Sequence, residues 1–474
     1  MNILIISTNQ NKKPVVVMPL GACMVAEACG KLGHKIKMLD LMFVKDTLSV
    51  LKREINVFKP DIVGLSVRNI DNNNLNKPKL YIGKLKDLVN VIKNNSKATI
   101  VLGGSAVGIL PEELLRYTET SLAVTGYGEI VFPKLIDAII KNDSLDIQGV
   151  ARIENNRFIE KKFSSYFISD LCNVPDFEKW INVKRYLKQQ GSIPVQTKRG
   201  CPYNCIYCTY SINEGKKYQL FSPESVADSV ERIVEKGFSD IEFVDNVFNS
   251  PYQHAVDVCE NIKSRKINAR FNTMSLNPSF INDRLLDVMD DINFTGIGIT
   301  AESASDTVLQ NLGKGYNLYA LKKAALSVLR HNIPCFWMFM LGGPGETKET
   351  VLETLEFAKK FIKPKDIVSL TIGIRIYPGT ELEKKSREEG IFNTGMVDLL
   401  NPLFYVSRDL DRDWIVSKIK KYKEKYFNFI DLDSMELSFL PSIYGLGYLF
   451  GIKPPLWKNI SSVRQITRFL GINL

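Results

Sequence analysis

Three cysteines within eight residues are the most chemically informative feature of this sequence. Cys201, Cys205 and Cys208 follow the pattern Cys-x-x-x-Cys-x-x-Cys. Three thiolates at this spacing can bind three irons of a [4Fe–4S] cluster and leave the fourth iron free for a substrate or cofactor. A structural zinc site would need a fourth ligand nearby, but the next candidates, His254 and Cys259, lie far downstream. Zinc binding and an incidental group of buried thiols are the alternatives.

Composition indicates an ordinary globular protein of two or three domains. The chain has 474 residues, of which 45% are hydrophobic and 24% charged. Its formal net charge is +10, but no block of like charges stands out, so dispersed surface lysine is favoured over a nucleic-acid site. The start of the chain predicts a β-strand and no secretory signal, and the other cysteines have irregular spacing. We therefore expect a cytoplasmic location.

The first third of the chain predicts a Rossmann-like α/β domain over residues 1–144. Short apolar runs alternate with helical stretches, a pattern typical of a doubly wound parallel sheet. Such sheets bind ligands at the carboxyl ends of their strands. Small and polar residues follow the predicted strands at these ends, in four segments: Thr8 and Asn9, Ser66 to Asp71, Gly103 to Ser105, and Gly126 to Glu129.

A second series of strands and helices begins after residue 190. Residues 145–190 have no clean period and are predicted to be a linker, with a hairpin tip at Glu154 to Arg157. Residues 191–397 predict six parallel strands with helices between them, which make a partial (β/α)6 barrel of the TIM type. Barrels of this type place their active site at the carboxyl ends of the strands, and the first strand here leads into the cysteine loop.

Residues 398–474 predict a small C-terminal region of mixed, mainly helical structure. Its longest uncharged run, Leu437 to Ile452, is too short for a membrane span and is interrupted by proline and glycine. A buried core segment is favoured for this run, and a wall against an apolar substrate or a membrane surface is the alternative. The tail is rich in aromatic residues, among them Tyr448, Phe450 and Trp457. A core position is favoured for them too, and a wall against an apolar substrate is the alternative.

Several segments of the sequence resemble a known protein family. Five segments resemble the radical S-adenosylmethionine enzymes, and within them the subgroup with an N-terminal cobalamin-binding domain. The segments are the cysteine loop Arg199 to Cys208, Phe243 to Asn249, Gly298 to Gly315, Met340 to Thr347, and Ile374 to Thr380. A further match in the N-terminal part is Gly64 to Asp71. The resemblance covers roughly the first 390 residues, and the tail matches no family.

The resemblance implies roles for residues of the predicted barrel. Cys201, Cys205 and Cys208 would bind a [4Fe–4S] cluster whose open iron chelates S-adenosylmethionine. The backbone near Tyr207 would face the adenine, and Glu302 would accept hydrogen bonds from the ribose. Gly342, Gly343 and Arg375 lie at later strand ends and would complete the pocket. No catalytic residue can be assigned beyond these.

For the N-terminal domain the resemblance implies cobalamin binding, but the Asp-x-His-x-x-Gly motif that supplies a histidine to cobalt is absent. The loop from Ser66 to Asp71 is then the candidate for the lower face of the cobalt, with Arg68 as its most conspicuous member. A domain retained only for structure is the alternative. The candidate cobalamin-binding residues are Thr8, Asn9, Ser66, Arg68, Asn69, Asp71, Gly103, Gly104, Ser105, Gly126 and Glu129.

The activity that the resemblance implies is methyl transfer from methylcobalamin to an unactivated carbon, or to phosphorus, of a small-molecule or lipid-like substrate. A non-methylating cyclisation, ring contraction or rearrangement is the alternative. A methylthiotransferase would need further cluster cysteines, and only Cys23 and Cys29 lie in the N-terminal domain. A carrier protein would not need a barrel with a nucleotide pocket. We also expect an electron donor such as a flavodoxin or ferredoxin, no nucleic-acid partner and no transmembrane segment, with peripheral membrane contact left open.

Overall fold

The structure is a computed structural model that describes residues 1–163, 174–392, 400–433 and 440–469. The predicted boundary at residue 397 lies outside these residues. Two seven-stranded sheets dominate the fold, one in each predicted α/β domain. The predicted fold class is confirmed.

The N-terminal sheet has the strand order β2-β1-β3-β4-β5-β6-β7. Its first five strands are parallel, and β6 and β7 form an antiparallel hairpin at one edge. The strands are β1 (Asn2–Ser7), β2 (Lys35–Asp40), β3 (Ile62–Ser66), β4 (Thr99–Gly103), β5 (Leu122–Val124), β6 (Val150–Glu154) and β7 (Arg157–Lys161). The hairpin comes from the segment predicted to be a linker. That segment thus extends the sheet, and the predicted hairpin tip lies at its turn.

Helices cover both faces of this sheet. They are α1 (Leu20–Lys31), α2 (Thr47–Phe58), α3 (Gly83–Asn95), α4 (Ser105–Ile109), α5 (Pro111–Thr118) and α6 (Gly128–Lys141). Successive side chains of a strand point to opposite faces, and β1 is apolar at every position from Ile3 to Ile6. Ile3 and Ile5 join one buried cluster, whereas Leu4 and Ile6 join the other. A strand buried on both faces is typical of a doubly wound sheet.

Two short helices, α7 (Phe177–Trp180) and α8 (Val183–Leu187), lead into the second domain. They bind the N-terminal domain through side chains. Trp180 donates its indole N–H to Glu27 over 2.9 Å, and Tyr186 donates its hydroxyl to Asp40 over 2.7 Å. Tyr186 also belongs to the core of the second domain. The connection is therefore packed on both domains, as the sequence predicted.

The second sheet is parallel throughout and has the order β18-β15-β14-β13-β12-β11-β8. Its strands are β8 (Ile193–Val195), β11 (Asp240–Phe243), β12 (Arg270–Leu276), β13 (Phe294–Glu302), β14 (Cys335–Leu341), β15 (Ile367–Ile372) and β18 (Phe429–Asp431). The six predicted strands are present. The seventh, β18, is supplied by the C-terminal region and pairs with the edge strand β15.

Two small antiparallel pairs flank the mouth of the barrel. They are β9 (Lys198–Arg199) with β10 (Gln219–Leu220), and β16 (Ile374–Arg375) with β17 (Phe404–Tyr405). The barrel helices are α9 (Tyr210–Glu214), α10 (Pro223–Glu235), α11 (Tyr252–Ser264), α12 (Asp283–Asp291), α13 (Asp306–Asn311), α14 (Leu318–Arg330), α15 (Lys348–Phe361), α16 (Glu381–Glu388) and α17 (Arg412–Lys425). Single 3₁₀ turns lie at Pro278–Phe280 and Leu456–Asn459.

The C-terminal region ends in two further helices, α18 (Leu440–Leu449) and α19 (Ile460–Phe469). Between them, Trp457 packs against Phe336 with ring centroids 5.4 Å apart. Phe336 lies at the start of β14, so Trp457 closes the end of the barrel opposite to the predicted active site. Trp457 is partly buried in this contact. The predicted core role is wrong for the end of α18, where Leu449 and Phe450 are 78% and 79% exposed.

Candidate active site

The cysteine loop lies between β9 and α9 and is held by its backbone. The amide of Cys201 donates to Gly215 over 3.0 Å, and the amide of Ile206 donates to Leu312 over 3.1 Å. Gly200 has φ of +81°, and a side chain there would come within 2.0 Å of the carbonyl oxygen of Lys217. Only glycine fits this position. These backbone contacts set the position of the loop.

The three cysteine thiols interact with one another. Burial raises the pKa of all three, and that of Cys208 rises to about 11. The neighbouring thiolate of Cys205 adds to the rise at Cys201 and Cys208. None of the three is in a disulfide. Partly buried thiolates that repel one another are stabilised when iron binds them, so the donor set fits an iron–sulfur cluster.

Single-ion binding has less support from the geometry. Within the described residues, no three His, Cys, Asp or Glu side chains lie close enough together to hold one metal ion. A [4Fe–4S] cluster differs, because each thiolate binds its own iron and the sulfurs stand further apart.

A hydrogen-bonded trio stands beside the loop, formed by Tyr207, Glu302 and Lys314. The hydroxyl of Tyr207 donates to Oε1 of Glu302 over 2.9 Å. Nζ of Lys314 donates to the hydroxyl oxygen of Tyr207 over 3.1 Å and to the same Oε1 of Glu302 over 3.2 Å. Burial and the charge of Glu302 raise the pKa of Tyr207 well above its usual value. Tyr207 therefore stays a neutral donor. In the described part of the chain, Glu302 uses only Oε1 in these bonds.

The glycine turn after β14 is closed by a carboxylate that sequence reasoning did not select. The amides of Gly342 and Gly343 both donate to Oε2 of Glu346, the second over 2.9 Å. Burial raises the pKa of Glu346 to about 7, although these two amides act in the opposite direction. Its Oε1 is buried and has no hydrogen-bond partner among the described residues. Nothing in the sequence around Glu346 indicated that its side chain is buried.

Arg375 and Asp71 bind each other across the two domains. Nε of Arg375 donates to Oδ2 of Asp71 over 2.9 Å, and both side chains are buried. The sequence placed Arg375 at S-adenosylmethionine and Asp71 at cobalamin. The structure shows this pair as a direct contact between the two domains.

A cavity of about 260 Å³ lies between the domains. Of the predicted cobalamin residues, six line it: Ser66, Gly103, Gly104, Ser105, Gly126 and Glu129. The barrel contributes Gln196, Arg199, Asn213 and Glu214 to the opposite wall. Both sets of residues, from the strand ends of one domain and from around the cysteine loop of the other, therefore face one space.

The other predicted cobalamin residues lie outside this lining. Thr8 donates its hydroxyl to the carbonyl of Ser66 over 2.9 Å, and the amide nitrogen of Asn9 is buried without a partner. Arg68 is exposed, and Asn69 lies beside it. These residues, with Asp71, belong to the loops around the cavity.

The cavity has features that suit a large flat group with polar edges. Gly104 has φ of +96°, and a side chain there would come within 2.5 Å of the backbone of Val67. The hydroxyl of Thr125, which also lines the cavity, is buried and has no hydrogen-bond partner in the part of the chain that the structure describes. A bound group with polar substituents would satisfy it. The sequence predicted only that a strand ends at Thr125. No sequence feature indicated that its side chain lines a cavity.

Arg199 links the two walls of the cavity. Its Nη1 donates to Oε1 of Glu129 over 2.5 Å, and its guanidinium lies over the ring of Tyr127 at 4.6 Å. Glu214 accepts from the amide of Gly200 over 3.1 Å. The buried charges therefore connect the cysteine loop to the cobalamin-side wall. Sequence reasoning listed Arg199 in the cluster motif but gave it no role.

Glu242 is a second acid that the sequence did not single out. It lies on β11 between Ile241 and Phe243, which both pack in the outer core, so its side chain faces the barrel interior. Burial raises its pKa to about 7, and Arg68 of the other domain acts in the opposite direction. No hydrogen bond of its carboxyl occurs among the described residues. Glu242 is thus available to a group inside the barrel.

Comparisons with known proteins agree with both halves of the site. The Radical SAM superfamily matches residues 195–358, and the B12 binding domain matches residues 11–136. An uncharacterized methyltransferase of Pyrococcus horikoshii is 29% identical over 77% of each chain. The hopanoid C-3 methylase of Methylococcus capsulatus is 24% identical over 53% of this chain and 47% of its own.

The fold is shared with a solved structure. The radical S-adenosylmethionine methyltransferase TsrM from Kitasatospora setae, solved with cobalamin and a [4Fe–4S] cluster, has a TM-score of 0.85. The two are 19% identical, and the match covers 99% of this chain and 98% of that chain.

The chain therefore combines a Radical SAM domain with a B12-binding domain. It is an enzyme, and its cofactors are a [4Fe–4S] cluster, S-adenosylmethionine and cobalamin. These predictions are confirmed. Over the described residues, no helix combines the length and the apolar character that a membrane span requires.

Proposed function

We propose that this enzyme transfers a methyl group from methylcobalamin to an unactivated carbon of a small-molecule substrate. The observation that carries the proposal is the cavity shared by the two domains. Its walls come from the strand ends of the B12-binding domain and from residues next to the cysteine loop. A substrate bound at this junction would be accessible to the cofactor of each domain.

The cofactors supply the difficult chemistry, since the cluster and S-adenosylmethionine provide a radical and cobalamin provides the methyl group. The protein's own residues bind and orient these groups. We assign Cys201, Cys205 and Cys208 to the cluster. Glu302, held on one oxygen by Tyr207 and Lys314, keeps Oε2 for a ribose hydroxyl. A carboxylate fixed in this way is oriented before the ligand arrives.

On the other wall, the backbone at Ser66, Gly104 and Ser105 would contact cobalamin. Ser105 donates its hydroxyl to the carbonyl of Arg68 over 2.8 Å, which fixes the loop that carries Arg68. Without a histidine motif, this loop is the part of the domain that would face the cobalt. The ion pair of Arg199 and Glu129 would hold the two cofactor sites in a fixed position relative to each other.

The barrel interior suggests an amphiphilic substrate. Side-chain alternation on β14 places Met338 and Met340 on its inner face, because Trp337 and Phe339 pack in the outer core. Methionine makes adaptable apolar surfaces. Glu242 supplies an acid with no protein partner in the described chain. A lipid-like or other apolar substrate with one hydroxyl or amine fits this arrangement.

Reduction of the cluster requires an external electron. We propose a flavodoxin or ferredoxin as the donor, and a chemical reductant should replace it in an assay.

A pair of cysteine variants tests the assignment. Cys205→Ala should lose the cluster iron and the formation of 5′-deoxyadenosine after anaerobic reconstitution. The matched control is Cys259→Ala, which removes a buried thiol on α11 outside the loop and should retain both. Iron content and 5′-deoxyadenosine are measured together. Radical formation that survives in Cys205→Ala would contradict the proposal.

Product mass separates methyl transfer from the other reactions of such cofactors. A methyltransferase adds one methylene unit to the substrate and releases S-adenosylhomocysteine. A product of unchanged carbon count would instead support a cyclisation or rearrangement.

A further inference from the structure

The last thirty described residues expose an unusual amount of apolar surface. Large hydrophobic side chains of residues 446–469 are between 44% and 91% exposed: Leu446, Tyr448, Leu449, Phe450, Ile452, Val463, Ile466 and Phe469. We call this set the C-terminal apolar surface. Exposed apolar patches of this kind mark sites of interaction with a protein or a membrane.

Helix α19 is oriented with its apolar side away from the protein. Ile460 packs against the barrel core near Phe336, and Arg464 donates to the carbonyls of Lys423 and Phe427 over 2.9 and 2.8 Å. On the opposite side, Ile466 and Phe469 are 60% and 91% exposed. A helix normally buries its apolar side. The anchoring by Ile460 and Arg464 shows that this orientation is fixed by contacts.

The charges around this surface are of one sign. Residues 440–469 contain Lys453, Lys458, Arg464 and Arg468 and no Asp or Glu. Burial and the charge of Arg468 lower the pKa of Arg464, which shows that the two cations repel each other.

The neighbouring helix adds to the positive charge. The end of α17 contacts α19, because Arg468 donates to the carbonyl of Glu424. This helix carries five lysines: Lys418, Lys420, Lys421, Lys423 and Lys425. Its two carboxylates are Asp413 and Glu424, so its net charge is also positive.

We propose that the C-terminal apolar surface binds the headgroup region of an anionic lipid bilayer. Exposed apolar side chains on a short helix, with basic residues at its flanks, are the elements of interfacial binding. Each basic residue near an anionic surface adds to the attraction. The charge pattern favours lipid over a second copy of this chain, because two copies would bring like charges together.

The surface lies at the opposite end of the barrel from the cysteine loop. Ile460 and Trp457 contact Phe336 at the start of β14, whereas the loop adjoins the ends of the strands. The contact would therefore anchor the enzyme and leave the cavity open. This inference is independent of the reaction that the enzyme catalyses.

Co-sedimentation with lipid vesicles tests the inference. The full chain is mixed with vesicles of phosphatidylcholine alone or with about one third phosphatidylglycerol. We expect binding to the anionic vesicles that falls at least tenfold without phosphatidylglycerol. Ile466→Ser with Phe469→Ser, and separately Leu449→Ser with Phe450→Ser, should each reduce it at least fivefold.

Two controls keep the outcome interpretable. Val57→Ser with Tyr319→Ser removes equally exposed apolar groups elsewhere and should leave vesicle binding unchanged. Circular dichroism and iron content should match the wild type for every variant. The inference is overturned if the wild-type protein does not bind anionic vesicles. It is also overturned if the protein self-associates in sedimentation velocity and the Ile466→Ser and Phe469→Ser changes abolish this self-association while vesicle binding persists.

Discussion

The two walls of the interdomain cavity are built from different kinds of residues. On the barrel side, polar side chains are already hydrogen-bonded: Arg199 donates to Gln196 over 3.3 Å, and Glu214 accepts from the amide of Gly200 over 3.1 Å. On the side of the B12-binding domain, the lining is small, with Gly103, Gly104 and Ser105, and the hydroxyl of Thr125 has no hydrogen-bond partner among the described residues. The barrel wall orients a ligand by prearranged charge, whereas the other wall leaves space and backbone for a large group.

The two walls also differ in how a mutation should act. A change on the barrel wall removes a partner from a buried network, so its effect should be electrostatic. A change on the other wall fills space or strains the backbone, so its effect should be steric. Arg199 with Glu129 joins the walls and belongs to both classes. Arg375 with Asp71 joins the two domains outside the cavity lining.

The largest effect is expected at the buried ion pair that joins the domains. Arg375→Met leaves Asp71 buried without its cation, and breaking such a pair lowers the free energy of unfolding by about 3 to 5 kcal/mol. Thermal unfolding should show a clearly lower midpoint. The double variant Arg375→Met with Asp71→Leu should recover much of it. Equal losses in the single and double variants would contradict a direct pairing.

A steric effect is expected on the cobalamin side. Gly104→Ala places a methyl group against the backbone of Val67 at a positive φ, a strain of about 1 to 3 kcal/mol. Cobalamin binding, measured by absorbance titration, should weaken about tenfold or more. Gly33→Ala is the control, because Gly33 has φ of +82° but no atom within 4 Å of the added carbon. Equal binding by the two variants would refute the role of Gly104.

A smaller, electrostatic effect is expected on the barrel side, beside the cysteine loop. Glu302→Gln removes the charge that we assign to the ribose, so KM for S-adenosylmethionine should rise about tenfold, or about 1.4 kcal/mol. The cluster iron should be retained. Glu381→Gln, an exposed carboxylate at the start of α16, should leave KM unchanged. Loss of iron in Glu302→Gln would indicate a structural role instead.

The smallest effect concerns pH. The folded-state pKa of Glu242 is raised to about 7 from the model-peptide value of 4.5. Its contribution to stability is therefore present below pH 4.5 and is lost as the pH rises through 7. The free energy of unfolding of Glu242→Gln should change less with pH than that of the wild type between about pH 5 and 8. Glu235→Gln is the control. Parallel plots of the free energy of unfolding against pH for all three proteins would contradict the burial of Glu242.

The sequence predicted the cysteine loop and both domains because their signals are local. Three cysteines in one loop, and the alternation of strands and helices, need no tertiary information. The placement of small residues after the strands also predicted the cavity lining at Ser66 and Gly103 to Ser105. Parallel strands place their carboxyl ends at one edge, so this inference follows from topology.

The partners of the charged residues were not predictable in the same way. Arg375 and Asp71 are 304 positions apart, and nothing in either segment indicates the other. Strand β18 was missed for a similar reason, since a run of three residues in the tail, two of them apolar, gains a strand partner only through tertiary contact with β15. The buried acids Glu242 and Glu346 look like ordinary surface carboxylates until the fold encloses them.

Transfer of an isotope-labelled methyl group tests the central claim most directly. The reconstituted enzyme is supplied with methyl-deuterated S-adenosylmethionine, cobalamin, a reductant and an amphiphilic candidate substrate. The account predicts a product that gains one deuterated methyl group, only when both the cluster and cobalamin are bound. A product that gains the label without cobalamin, or one formed with cobalamin but free of label, would contradict methyl transfer across a cavity shared by the two domains.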